Sequence, residues 1–169
     1  MTFVALDAAY DAASWYDFAI ALVGASAALA GLLVVAASIN ISRIIGLPPI
    51  VARLGATLAV FTGVLIIGLL IVVPDQHRTP LGVEIGIIGL VIAVFMVQQK
   101  ELRRSHRPRY RGSMVTASVG VLAAITLAFA GFATAAGTAG GLYWLVPGVV
   151  LGLCVGLVNS WVALIEILR

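Results

Sequence analysis

Few residues of this 169-residue chain are of types that do chemistry, and their spacing limits what that chemistry can be. A metal site needs several His, Cys or carboxylate ligands on one framework. His77 and His106 each stand alone, so no metal site is expected. Cys154 is the sole cysteine and lies in the apolar run "LGLCVGLV", which excludes an intramolecular disulfide and suits a small buried hydrophobe. No nucleophile has an evident base nearby, and no glycine-rich phosphate loop follows a strand, because no strand pattern is present. The chain is therefore read as non-catalytic and without a cofactor. A proton relay would need an ionisable group in mid-span. Glu84 and Glu166 lie near the ends of apolar runs instead, with Arg169 close enough along a helix to pair with Glu166. The polar groups within the runs are Ser26, Thr57, Thr62, Ser118, Thr126, Asn159 and Ser160. Most suit bonds to backbone carbonyls, and Asn159 beside Ser160 is the best candidate for a functional polar contact or a pore lining.

These side chains must be positioned by membrane-spanning helices. The chain is 62% hydrophobic and 10% charged, against about 25% charged residues in soluble domains. A hydrocarbon core about 30 Å thick takes roughly 20 apolar residues as helix, and lipid leaves only helix or closed barrel to satisfy the backbone. Five runs qualify, at about 16–40, 50–73, 81–98, 113–135 and 146–168. Gly46, Pro48 and Pro49 close the first, Pro74 stops the second, and Pro80 suits the first position of the third. Pro108 separates the third from the fourth, and "AGTAGG" separates the fourth from the fifth, which has Pro147 in its first turn. Before the first span, Phe3, Leu6 and Tyr10 oppose Asp7 and Asp11, predicting a short interfacial helix over about 3–15, and "SWYD" reads as a capping box opening the span. The acidic start gives no reason to expect a cleaved signal. The expected fold is an all-α integral membrane protein, a single five-transmembrane-helix bundle over 1–169 with that N-terminal interfacial helix.

The stretch "QKELRRSHRPRYRG" carries Lys100, Arg103, Arg104, Arg107, Arg109 and Arg111, six of the ten basic residues. With Arg43, Arg53 and Arg169 they fall on one side of the five-span map, leaving only Arg78 on the other. The positive-inside rule then puts the N-terminus outside and the C-terminus inside. Nine arginines to one lysine, with abundant Ala, Gly and Val, suggest a GC-rich bacterial genome and hence the bacterial cytoplasmic membrane. Each basic residue at an anionic leaflet contributes about 1 kcal/mol, so these six suffice as a topology anchor on inner-leaflet headgroups. No aromatic stacking array accompanies them, so nucleic acid is not an expected partner.

The remaining signal is small-residue spacing. Gly148, Gly152, Gly156 and Ser160 recur every fourth residue in the fifth span, and Gly24, Ala28 and Gly31, with Ala27, line the first. Such faces let helix backbones approach closely in lipid. The fourth span has Thr116, Gly120, Ala124 and Ala128, and the second has Gly55, Ala59 and Gly63. The stretches "GASAALAGLLVVAASINI" and "NSWVALIEILR" resemble a group of small uncharacterised bacterial multi-span membrane proteins, some labelled "modulator of FtsH protease". The resemblance implies a regulatory partner of a membrane protease. The expected function is a non-catalytic protein acting through helix packing, as a homo-oligomer or an accessory subunit of a membrane complex. The alternative is a small homo-oligomeric ion or solute channel lined by Ser, Thr and Asn.

Overall fold

The structure, a computed structural model, describes residues 8–105 and 111–168, with 100–105, 111–114 and 166–168 as backbone only. Phe3, Leu6 and Asp7 of the expected interfacial helix, and likewise His106, Arg107, Arg109 and Arg169, lie outside the described residues.

Five helices are long and apolar enough to cross a bilayer. They are α1 (Tyr16–Ile39), α2 (Pro48–Val72), α3 (Arg78–Ser105), α4 (Arg111–Ala136) and α5 (Leu145–Leu168). No strand occurs among the described residues. The helices alternate in direction, so one end of the molecule carries residues 8–15 and the loops 73–77 and 137–144. The other, the basic end, carries the connector 40–47 and the α3–α4 tip.

Local chemistry explains the boundaries. Pro48 and Pro49 occupy the first positions of α2, where a missing N–H leaves no bond unmade, so α2 starts two residues before the apolar run suggests. Pro80 falls in the first turn of α3 rather than at its first residue, because Asp75 adopts a left-handed φ of 55° and the helix is under way by Arg78. At the same end of the molecule, α4 stops where Gly137 turns left-handed at φ 66°. Ala139, Gly140 and Gly141 keep positive φ through "AGTAGG", and a 3-10 turn, Gly141–Trp144, leads into α5.

Before α1, Ala8 is helical, and the residues that follow depart from the single helix expected through residue 15. They contain a 3-10 turn, Ala12–Trp15, capped by Asp11. One Asp11 carboxylate oxygen accepts from the Ala13 N–H at 3.2 Å and the other from the Ser14 hydroxyl at 2.7 Å. Ser14 is thereby committed to Asp11, and the "SWYD" capping box does not form: Trp15 is the N-cap of α1 and makes no side-chain capping bond. The Ser14 hydroxyl, followed by the weaker opposing effect of burial, holds the Asp11 carboxyl below the usual carboxylate range.

Helices α2, α3, α4 and α5 form a closed ring in which each packs on the next and α5 returns to α2. Phe61, Val64 and Ile67 of α2, Leu81 and Ile85 of α3, Leu127 of α4 and Leu145 of α5 fill its interior and are almost wholly inaccessible. Helix α1 stands outside the ring and leans on α2 through Ala19, Leu22, Ser26 and Leu33. Only 22% of its apolar window is buried, against 50% for α2 and α4, so α1 is the peripheral element. Many large apolar side chains, Leu32, Ile39, Ile87, Phe129 and Trp161 among them, are exposed on the outer surface, as suits a multi-pass membrane protein. Cys154 lies on this outer surface and not in the core.

Candidate functional site

The four-residue repeat of α5 is used inside the ring. A Cβ built on Gly148 would lie 2.9 Å from Leu127 Cδ2 of α4, and one on Gly152 would lie 3.1 Å from Val60 Cγ1 of α2. At Gly156 the obstacle is the Phe61 ring, with Cζ at 2.7 Å. The missing side chains are what let α5 sit between α2 and α4. Ser160 continues the row but turns its hydroxyl back, donating to the Gly156 carbonyl at 2.8 Å. In the other rows Gly120 meets Met96 at 3.1 Å, and Gly63 meets Ile92 and Ile88 of α3. Gly68, one turn beyond, admits Val23 and the Ala19 carbonyl of α1.

Helix α3 supplies the closest approach in the molecule, although its small residues were not among those singled out by spacing. Gly82 faces Gly131 and Ala135, Gly86 faces Gly131 and the Phe132 ring, and Gly89 faces Ala128. These are backbone-to-backbone meetings: a Cβ on Gly131 would fall on the Gly86 amide and 2.6 Å from the Gly82 carbonyl oxygen. The signal was present as "GVEIGIIG", where glycines at four- and three-residue spacing share one helix face.

Gly24 and Gly31 of α1 behave differently. Neither has any atom within 4 Å of a built Cβ, and Ala28 between them is exposed. Gly55 of α2 is likewise open.

A polar seam forms where α2 meets α5. The contacts of Val60 with Gly152 and of Phe61 with Gly156 fix the antiparallel register, which sets Thr57 level with Asn159 and Ser160, and Arg53 level with Ala163 one turn nearer the basic end. Arg53 is 7% exposed, Thr57 1% and Asn159 3%. The Thr57 hydroxyl donates to the Arg53 carbonyl at 3.1 Å. Thr116 of α4, on the turn beyond Gly120, approaches the same level through the contacts of Gly120 with Val155 and of Gly148 with Leu127. From Val60 to Ile67 the seam is closed by buried apolar side chains, so its polar character is confined to the half nearer the basic end. Asn159 and Ser160 thus face the interior of one chain rather than its outer surface.

At the opposite end an aromatic cluster ties residues 8–15 to the α4–α5 connection. The Leu142 N–H donates to the Ala9 carbonyl at 2.9 Å, and the Gly140 N–H donates to the Tyr10 hydroxyl at 3.2 Å. Trp15 donates from its indole to the Ala8 carbonyl at 2.8 Å and stands edge-on to both Phe18 and Tyr143. Trp144 donates to the Ala139 carbonyl at 2.7 Å and packs edge-on against Phe129. Arg78, the lone basic residue at this end, lays its guanidinium against Gly137, at the C-terminus of α4, where a cation is stabilised by the unpaired carbonyls. Gln76 donates to the Glu84 carboxylate at 2.8 Å.

No group of three or more His, Cys, Asp or Glu suited to a metal ion occurs among the described residues. Compared with known proteins, the chain matches no family model, no curated protein and no solved structure.

Proposed function

We propose that this chain is a non-catalytic integral membrane protein that works by helix docking, as a homo-oligomer or as an accessory or regulatory subunit of a membrane complex. The observation that carries the reading is the contrast among its glycines. Those of α3, and Gly148, Gly152 and Gly156 of α5, are filled by neighbours within the chain, whereas Gly24 and Gly31 on the peripheral helix α1 meet nothing. Glycine is disfavoured in a helix interior by about 1 kcal/mol relative to alanine, a cost offset only where a neighbour uses the space. The hydroxyls of Ser26, Thr57, Thr126, Thr134 and Ser160 donate to carbonyls of their own helices, which supports packing over a polar pore lining. A regulatory partner of a membrane protease, as the resemblance of the α1 and C-terminal stretches implies, is one form of this role. The membrane is the bacterial cytoplasmic membrane, with the N-terminus outside and the basic end inside.

Intact mass measurement of the complex purified in mild detergent tests the proposal. The expected result is a mass above that of one chain, which falls to one chain in Gly24→Leu/Gly31→Leu while the thermal melt is retained. A wild-type protein found only as a dispersed monomer with no companion subunit would overturn it.

A further inference from the structure

The α3–α4 hairpin continues past the point where its apolar runs end. In the sequence the apolar run of α3 gives way to Gln98 and Gln99 before Lys100, and that of α4 is established from Val115, but helix persists to Ser105 and resumes at Arg111. At 1.5 Å per residue the extension is about 9 Å on α3 and about 6 Å on α4. The antiparallel register is set by Gly82 with Ala135, Gly86 with Gly131, Gly89 with Ala128 and Met96 with Gly120, and the two helices continue from there into these turns. That register places Arg104 level with Ser113 and Arg103 level with Met114, so the backbone positions of Lys100, Arg103, Arg104 and Arg111 gather on one short two-helix stem. Lys100, Arg103 and Arg104 share a helix face by their spacing, and Glu101 is the single acid between residues 100 and 111.

A topology anchor requires only net charge near a span end, and a flexible loop supplies it equally well. A stem of two helices does more, since it sets the backbone positions of these basic residues at fixed spacing just beyond the apolar zone. Guanidinium groups recognise phosphate through paired, charge-assisted hydrogen bonds, and less ordering is required when the groups already stand on rigid backbone. We propose that this stem is a binding site for the headgroups of anionic phospholipids in the leaflet at the basic end, distinct from the docking role assigned to α1.

Native mass spectrometry of the full chain released from nanodiscs of mixed phosphatidylglycerol and phosphatidylcholine provides the test. Each basic residue near an anionic surface is worth about fivefold in binding. The wild type should retain phosphatidylglycerol over phosphatidylcholine, and Lys100→Gln/Arg103→Gln/Arg104→Gln/Arg111→Gln should lose at least tenfold of that preference. Arg43, Arg107 and Arg109 remain in this variant, so its yield, orientation and thermal melt should match the wild type. Equal retention of the two lipids by the wild type would overturn the proposal, as would undiminished preference in the variant. Tighter binding of a short RNA than of phosphatidylglycerol, in discs of phosphatidylcholine alone, would also overturn it by assigning the stem to another polyanion. The same spectra report the number of chains, so loss of the lipid site and loss of the docking role are read separately.

Discussion

Burying Arg53 in the second turn of α2 withdraws a cation from water at a depth where replacement solvation must come from protein. Arg53→Ala should lower the stability of the detergent-solubilised protein by about 2 kcal/mol or more, through lost packing of the buried methylene stem and lost interactions of its head; a thermal melt measures it. Asn159 on the same seam carries no charge, so Asn159→Leu, an exchange of similar volume, should lower the melt by less than Arg53→Ala does. The glycines give a paired test: Gly131→Ala drives a methyl into the Gly86 backbone and should cost about 3 kcal/mol, whereas Gly55→Ala should stabilise by up to about 1 kcal/mol. At this level the sequence is only partly readable. Spacing identified Gly148, Gly152 and Gly156, but it could not say whether a small face is filled from within, as theirs is, or left open, as at Gly24. Arg53 was readable as a charge near a span end and not as a buried one, because headgroup-facing and bundle-facing positions look alike in one chain.

Prolines and left-handed residues place the helix ends, and there the sequence is most informative: Pro48, Pro49, Pro74 and "AGTAGG" each lie within a few residues of a boundary. The segment before α1 is read less completely. Its spacing suggests one helix through residue 15, and Ala8 is helical, but Asp11 and Ser14 bond to each other and to the local backbone, so Ala12–Trp15 forms a 3-10 turn instead. The result is a strap that holds α1 to the α4–α5 connection. Tyr10→Phe removes the bond to the Gly140 N–H and should loosen the strap by about 1 kcal/mol, seen as faster proteolysis within residues 8–15 at an unchanged global melt. Gly141→Ala should loosen it more, because a left-handed φ of 46° and the Tyr10 ring both oppose a Cβ. Acid should act on the same strap. The Asp11 carboxyl is held below its ordinary value of 3.8, so its cap is fully present above that pH and is lost as pH falls through the lowered value. The fluorescence of Trp15 in a Trp144→Phe/Trp161→Phe background should report this change, and Asp11→Asn should flatten it.

A ring of four helices with a fifth leaning on it is a division of labour in stability. Amide exchange in detergent should be fastest in α1 and slowest in α3 and α4, since α1 buries the least surface and the hairpin is joined backbone to backbone. That five helices long enough to cross a bilayer exist was legible from run length and hydropathy alone. Which four close into a ring was not, because every span carries small residues and lipid-facing surfaces are as apolar as the core. The glycine contacts between α3 and α4 also bear on how the molecule can move. Two rods touching at Gly82, Gly86 and Gly89 cannot slide along one another without driving backbone into backbone, so they shift only as a single spar about 40 Å long. Whatever grips the charged tip therefore tilts the far end as well, and with it Arg78, Gly137 and the Phe129–Trp144 pair.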